Sequence, residues 1–145
     1  MDNQKQLILI EYLKNKVKSY SQEDWKIKAE YSTDDNDKRV ITVQEQDGEK
    51  IVFYGDIIPL FNYYMIDIYG LSIRECKSLS VFIGNLIGKS ERIEVENNGK
   101  IERWQIIFSQ FSNPQAIEYM DIRRVGYNAT LKCIVNKIYE YSKEG

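Results

Sequence analysis

Pro59-Leu60-Phe61-Asn62-Tyr63-Tyr64-Met65-Ile66-Asp67-Ile68-Tyr69-Gly70-Leu71-Ser72-Ile73-Arg74-Glu75-Cys76 is the stretch that decides the fold. From Phe61 to Tyr69 the apolar side chains fall on both faces of an extended chain: Phe61, Tyr63 and Met65 on one, Tyr64, Ile66 and Ile68 on the other. A strand of this kind sits in the middle of its sheet or is covered on both sides. Gly70 ends it. Ser72 then opens a helix, with Glu75 three residues on as a capping box. Ile73, Cys76, Leu79, Ile83, Leu86 and Ile87 share one face of that helix, predicted over 72–87 with Gly88 as its stop.

Downstream, Asn98-Gly99 accepts the positive φ of a two-residue hairpin turn, predicting strands Arg92–Glu96 and Lys100–Phe111 with Ile93 opposite Trp104. A loop is predicted around Asn113-Pro114, spanning 112–126. The last strand, Tyr127–Tyr139, alternates Tyr127, Ala129, Leu131, Cys133 and Val135 with polar residues. Upstream, Leu9, Leu13, Val17 and Tyr20 form one stripe of a helix over Gln4–Tyr20. Trp25–Tyr31 alternates as a strand, and a polar loop covers 32–38. A second hairpin is predicted across Asp47-Gly48, joining Arg39–Gln46 to Glu49–Tyr54 with Val43 opposite Val52 and Ile41 opposite Tyr54. Pro59 marks entry into the Phe61 strand. The sum is an α+β fold: one mostly antiparallel sheet with two helices packed on one face, as a single domain over 1–145.

Composition narrows the function. The chain has 145 residues, 43% hydrophobic, with 20 basic and 22 acidic side chains and a net charge of -2. That balance gives no electrostatic reason to expect nucleic-acid binding. Histidine is absent, which removes the commonest general base and metal ligand. Ser–His and Cys–His nucleophile pairs are therefore excluded. Cys76 and Cys133 form no CxxC pair, so no zinc site is expected and both read as buried thiols in a reducing compartment. The acidic run Asp34-Asp35-Asn36-Asp37 lacks the glycine and final glutamate of a calcium loop. No glycine-rich phosphate loop occurs. Asp67 is the one carboxylate inside an apolar run, and a lone strand aspartate reads as a satisfied structural group. No enzyme activity, cofactor or metal is expected. Leu7–Ile10 is too short for a signal-peptide core, and no stretch reaches membrane-spanning length, so no membrane partner is expected.

The order of elements carries a resemblance. A first helix is followed by a polar segment with hairpin strands, then by the proline-entered strand Pro59–Tyr69. A helix ending in Val81-Phe82-Ile83-Gly84-Asn85-Leu86-Ile87 comes next, then Trp104–Phe111, Asn113-Pro114 and Val125–Ile138. This pattern resembles the tail terminator and tail-completion proteins of long-tailed bacteriophages, prophages and phage-tail-like bacteriocins.

The resemblance implies a ring, expected to be hexameric, that caps the tail tube, ends its growth and joins it to the head or collar. Implied partners are copies of the chain, the tail tube protein, the sheath where the tail contracts, and a connector or collar protein. The implied location is the virion tail or a tail-like particle, assembled in a bacterial cytoplasm. Contacts are expected at the 32–38 loop, at Asn98 on the hairpin tip, and around the 112–126 loop at Phe111, Pro114, Ile117, Tyr119, Met120, Arg123 and Arg124. A head-completion or neck protein of the same particle, and a small cytosolic protein-binding module, are the other readings.

Overall fold

Alternation along the strands sends one row of apolar side chains to a single side of the sheet, and both helices settle there. The computed structural model describes residues 4–30, 37–46, 50–59, 61–117 and 125–142. In chain order they form α1 (Gln4–Tyr20), β1 (Lys26–Lys28), β2 (Val40–Gln46), β3 (Lys50–Phe53), β4 (Asp56–Pro59) and β5 (Asn62–Gly70). Then come α2 (Ile73–Gly84), β6 (Ser90–Asn97), β7 (Lys100–Ile117) and β8 (Val125–Ser142). A six-stranded sheet runs β1-β2-β5-β8-β7-β6. Only the β1–β2 pair is parallel. The fold is α+β, mostly antiparallel.

The core lies between this sheet and the two helices. Leu9, Leu13 and Val17 of α1 and Cys76, Leu79 and Ile83 of α2 pack over Ile41, Val43, Tyr64, Ile66, Leu131, Ile106 and Phe108. Each large aliphatic or aromatic side chain buried in this way contributes about 1.5–3 kcal/mol. Tyr20, expected on the α1 stripe, is instead exposed and stacks on Phe82 at 4.3 Å.

The start of α2 is held from two sides. Ser72 is extended, and its Oγ accepts from the Glu75 N–H at 3.2 Å. The reciprocal arm of a capping box is diverted. Glu75 accepts from the Leu71 N–H at 2.8 Å and pairs with Arg39, tying the helix start to the residue before β2. Gly70 is needed here because a Cβ would lie 2.7 Å from Glu75 Oε2 and 3.0 Å from Cys76 Sγ. α2 ends earlier than predicted, at Gly84, and Ile73 is exposed rather than apolar core. Gly88, at φ +86°, donates its N–H to the Phe108 carbonyl at 2.8 Å, so it serves the sheet rather than the helix end.

Strand pairing corrects the first predicted hairpin. β2 does not pair with β3: Val43 lies opposite Ile66, and Val52 opposite Ile57. β3 and β4 pair with each other across Tyr54-Gly55, whose φ values are +51° and +84°. The Asp47-Gly48 turn itself lies outside the described residues. Burial explains the switch. Val40, Ile41, Thr42 and Val43 are consecutively buried, which a two-stranded hairpin cannot achieve; a place between β1 and β5 does. Pro59 closes β4 rather than opening β5. Of the predicted Trp25–Tyr31 strand, Lys26–Lys28 forms β1, and Tyr31 lies outside the described residues. The second hairpin is as predicted, with Ile93 opposite Trp104 and positive φ at Asn98 and Gly99. Of the predicted 112–126 loop, 112–117 belong to β7 and 125–126 to β8, while 118–124 lie outside the described residues.

Both cysteines are buried and unbonded. Burial pushes each thiol up to about 12. Cys76 donates to the Val125 carbonyl at 3.6 Å. Neither is expected to react with a water-soluble disulfide reagent in native buffer at pH 8, where both stay protonated and covered. Both should react freely in denaturant. Fast labelling of the native protein would show that the core opens on its own.

Candidate functional site

Three features of the surface follow from how long each strand is. β7 and β8 are each 18 residues, about 60 Å at the usual rise per residue. β5 is half that length and stops with Asn62 opposite Cys133. The Asn62 Oδ1 closes the corner by accepting from the Val135 N–H at 3.2 Å. From Asn136 to Ser142, β8 therefore has no strand on its β5 side among the described residues. On the other side, β6 leaves β7 at Ile107, so β7 is open from Ser109 onward.

The free end of β7–β8 is an arm with two unlike faces. Lys137 lies opposite Trp104 and Tyr139 opposite Arg103, so Ile138 is an extra residue in a bulge. On the helix side the Glu102 carboxylate is buried. It accepts from Gln4 Nε2 and Trp104 Nε1, each at 3.2 Å, and meets Lys137 Nζ at 3.5 Å. This roots the arm on α1. Lys137 also reaches Glu140 at 3.3 Å; that contact raises the ammonium pKa and, with Lys100, lowers that of the carboxyl. On the outer side Tyr139 and Tyr141 stack at 6.1 Å and remain 45% and 47% exposed. Arg103 sits 5.3 Å from the Tyr139 ring and pairs with Glu94, which raises the guanidinium pKa further.

At the opposite end, a groove of about 610 Å³ runs between α2 and the open edge of β7. The register shift after Phe108 leaves Ser109 as an extra residue and turns Phe111 toward the helix, where a Cβ added at Gly84 would lie 3.5 Å from its ring. A second shift, between Ser112 and Gln115, places Pro114 in a bulge at the groove's end. On the other face of the sheet, Ile117 borders a hollow of about 450 Å³ with Asp67, Tyr69 and Asn128. Asp67 is engaged there: it accepts from the Tyr69 hydroxyl at 3.2 Å and from Asn128 Nδ2.

The expected contact residues that are described thus do not form one patch. Phe111 and Pro114 meet in the groove, Ile117 lies across the sheet, and Asn98 sits at the far end of β7. Phe111, Pro114 and Ile117 stand on a strand, not a loop, because the bulges let pairing continue past the proline. Tyr119, Met120, Arg123 and Arg124, and residues 32–36 of the acidic loop, lie outside the described residues. Sequence reasoning missed the arm, although the Tyr127–Tyr139 pattern already outran the Phe61–Tyr69 strand it packs beside. Among the described residues no group of three His, Cys, Asp or Glu could hold a metal ion, and no helix is long and apolar enough to cross a membrane. No family model, no curated protein and no solved structure matches this chain.

Proposed function

We propose that the chain is a structural subunit of a ring that caps a phage-type tail tube, ends its growth and offers a surface to the head or collar. The observation that carries the reading is the β7–β8 arm. Its outer side exposes Tyr139 and Tyr141 beside an edge that no described strand covers, a surface that invites pairing with another chain. The resemblance in element order supports the same assembly.

The ends of the sheet suit head-to-tail contact. β1 carries Lys26 and Lys28, whereas β6 carries Glu91, Glu94 and Glu96 against Arg92. Unlike charge on opposite edges favours joining one copy's β6 to the next copy's β1, a heterologous contact that closes into a ring. The ion pairs now made by Lys26 and Arg103 are exposed, and exchanging them costs little.

The test is peptide mass spectrometry on large particles sedimented from native cells after prophage induction. A few copies per particle, with tube protein in large excess, is the expected result. Recovery solely in the soluble fraction, without tail proteins, refutes the reading and favours a cytosolic binding module.

A further inference from the structure

We infer that the groove between α2 and the open edge of β7 receives an extended, acidic and apolar segment of a partner protein, added to β7 as a further strand. This goes beyond the ring and does not depend on it.

The edge is free where the groove needs it. After Ile107 the β6 partner is gone; beyond it the Gly88 N–H donates to the Phe108 carbonyl and the Phe108 N–H donates to the Lys89 carbonyl. From Ser109 to Ser112 the outer edge has no strand beside it among the described residues. An extended chain laid between an edge strand and a helix gains main-chain hydrogen bonds from the strand and side-chain specificity from the helix. Pro114 has no N–H to offer, so the added strand ends there.

The walls choose alternate apolar side chains. Phe111 and Tyr127 form the floor, and Val81 projects from α2 at 55% exposure. Gly84 keeps the helix wall low over Phe111. Because strand side chains alternate, every second residue of an added strand would reach this floor.

The rim chooses carboxylates. Lys77 lines the groove, and among the described residues no aspartate or glutamate does. Arg74 lies on the same face of the helix as Val81, two turns before it, and Lys89 follows the helix end; neither lines the groove itself. None of these three forms an ion pair with another described residue, whereas Lys16, Lys28, Arg39 and Arg103 all do. Lys77 is thus the one charged side chain among the groove's described lining residues, a cation that an anionic partner can pair with.

The probe is a displayed library of random short peptides, selected on the purified full-length chain. Enriched sequences should alternate apolar and acidic residues and protect amides within Ser109–Ser112 from hydrogen exchange. Val81→Glu and Lys77→Glu, both at exposed helix positions, should fold normally and weaken the selected peptides by at least about tenfold. Enrichment of basic sequences, no enrichment, or protection elsewhere overturns the inference. If instead no peptide is selected and Val81→Glu dissolves an oligomer of the chain, the groove is a self-contact. The inference then fails while the ring reading stands.

Discussion

Leu79→Asp is expected to abolish folding. Leu79 is fully buried in α2, facing the strands. Truncating a buried leucine costs about 2–5 kcal/mol, before any charge is considered. An aspartate there would have to stay neutral or sit ionised without a partner, which adds several kcal/mol. The sum is comparable to the whole stability of a domain this size, about 5–15 kcal/mol. The far-ultraviolet circular dichroism of the variant should show no cooperative unfolding transition. Val81→Glu, two residues on and on the exposed flank, is the control, with an expected change within about 0.5 kcal/mol. A cooperative Leu79→Asp transition near the wild-type temperature would mean that α2 does not pack as described.

Tyr139→Asp combined with Tyr141→Asp is expected to leave folding intact and abolish assembly. Both rings are about half exposed on the outer side of the arm, away from the core. Arg103 lies 5.3 Å from the Tyr139 ring, so a carboxylate at 139 has a cation within reach. Interface tyrosines that anchor a contact are worth about 2 kcal/mol or more each, so removing two weakens association by roughly a thousandfold or more. Native mass spectrometry should show wild-type rings and variant monomers at the same concentration, with matching circular dichroism. An undiminished ring in the double variant would remove the arm from the subunit contact. A wild-type chain that stays monomeric would not decide the matter, because rings can form on docking to a tube; the particle measurement covers that case.

The groove and the arm were legible to different degrees. Phe111 and Pro114 drew attention because an aromatic and a proline stood where a loop was expected. Their meeting beside α2 depended on the bulge at Ser109, which reverses the alternation of Trp104, Ile106 and Phe108. One extra residue in a strand leaves almost no mark in sequence, since bulges form where the partner strand requires them. The arm depended on where β5 stops, which Asn62 sets through its contact with Val135.

What the sequence determined by itself was local. The bounds of α1, the N-cap of α2 at Ser72 and the Asn98-Gly99 turn with Ile93 opposite Trp104 all emerged as read. Each is settled within a few residues, by side-chain periodicity, by one capping oxygen or by a backbone that tolerates positive φ. Tertiary structure decided which strands became neighbours. β2 carries a turn signal after it, yet it lies between β1 and β5 because only two neighbours bury Val40 through Val43 together. Local turn preference is worth less than the burial of several large side chains, so where the two disagreed, burial prevailed.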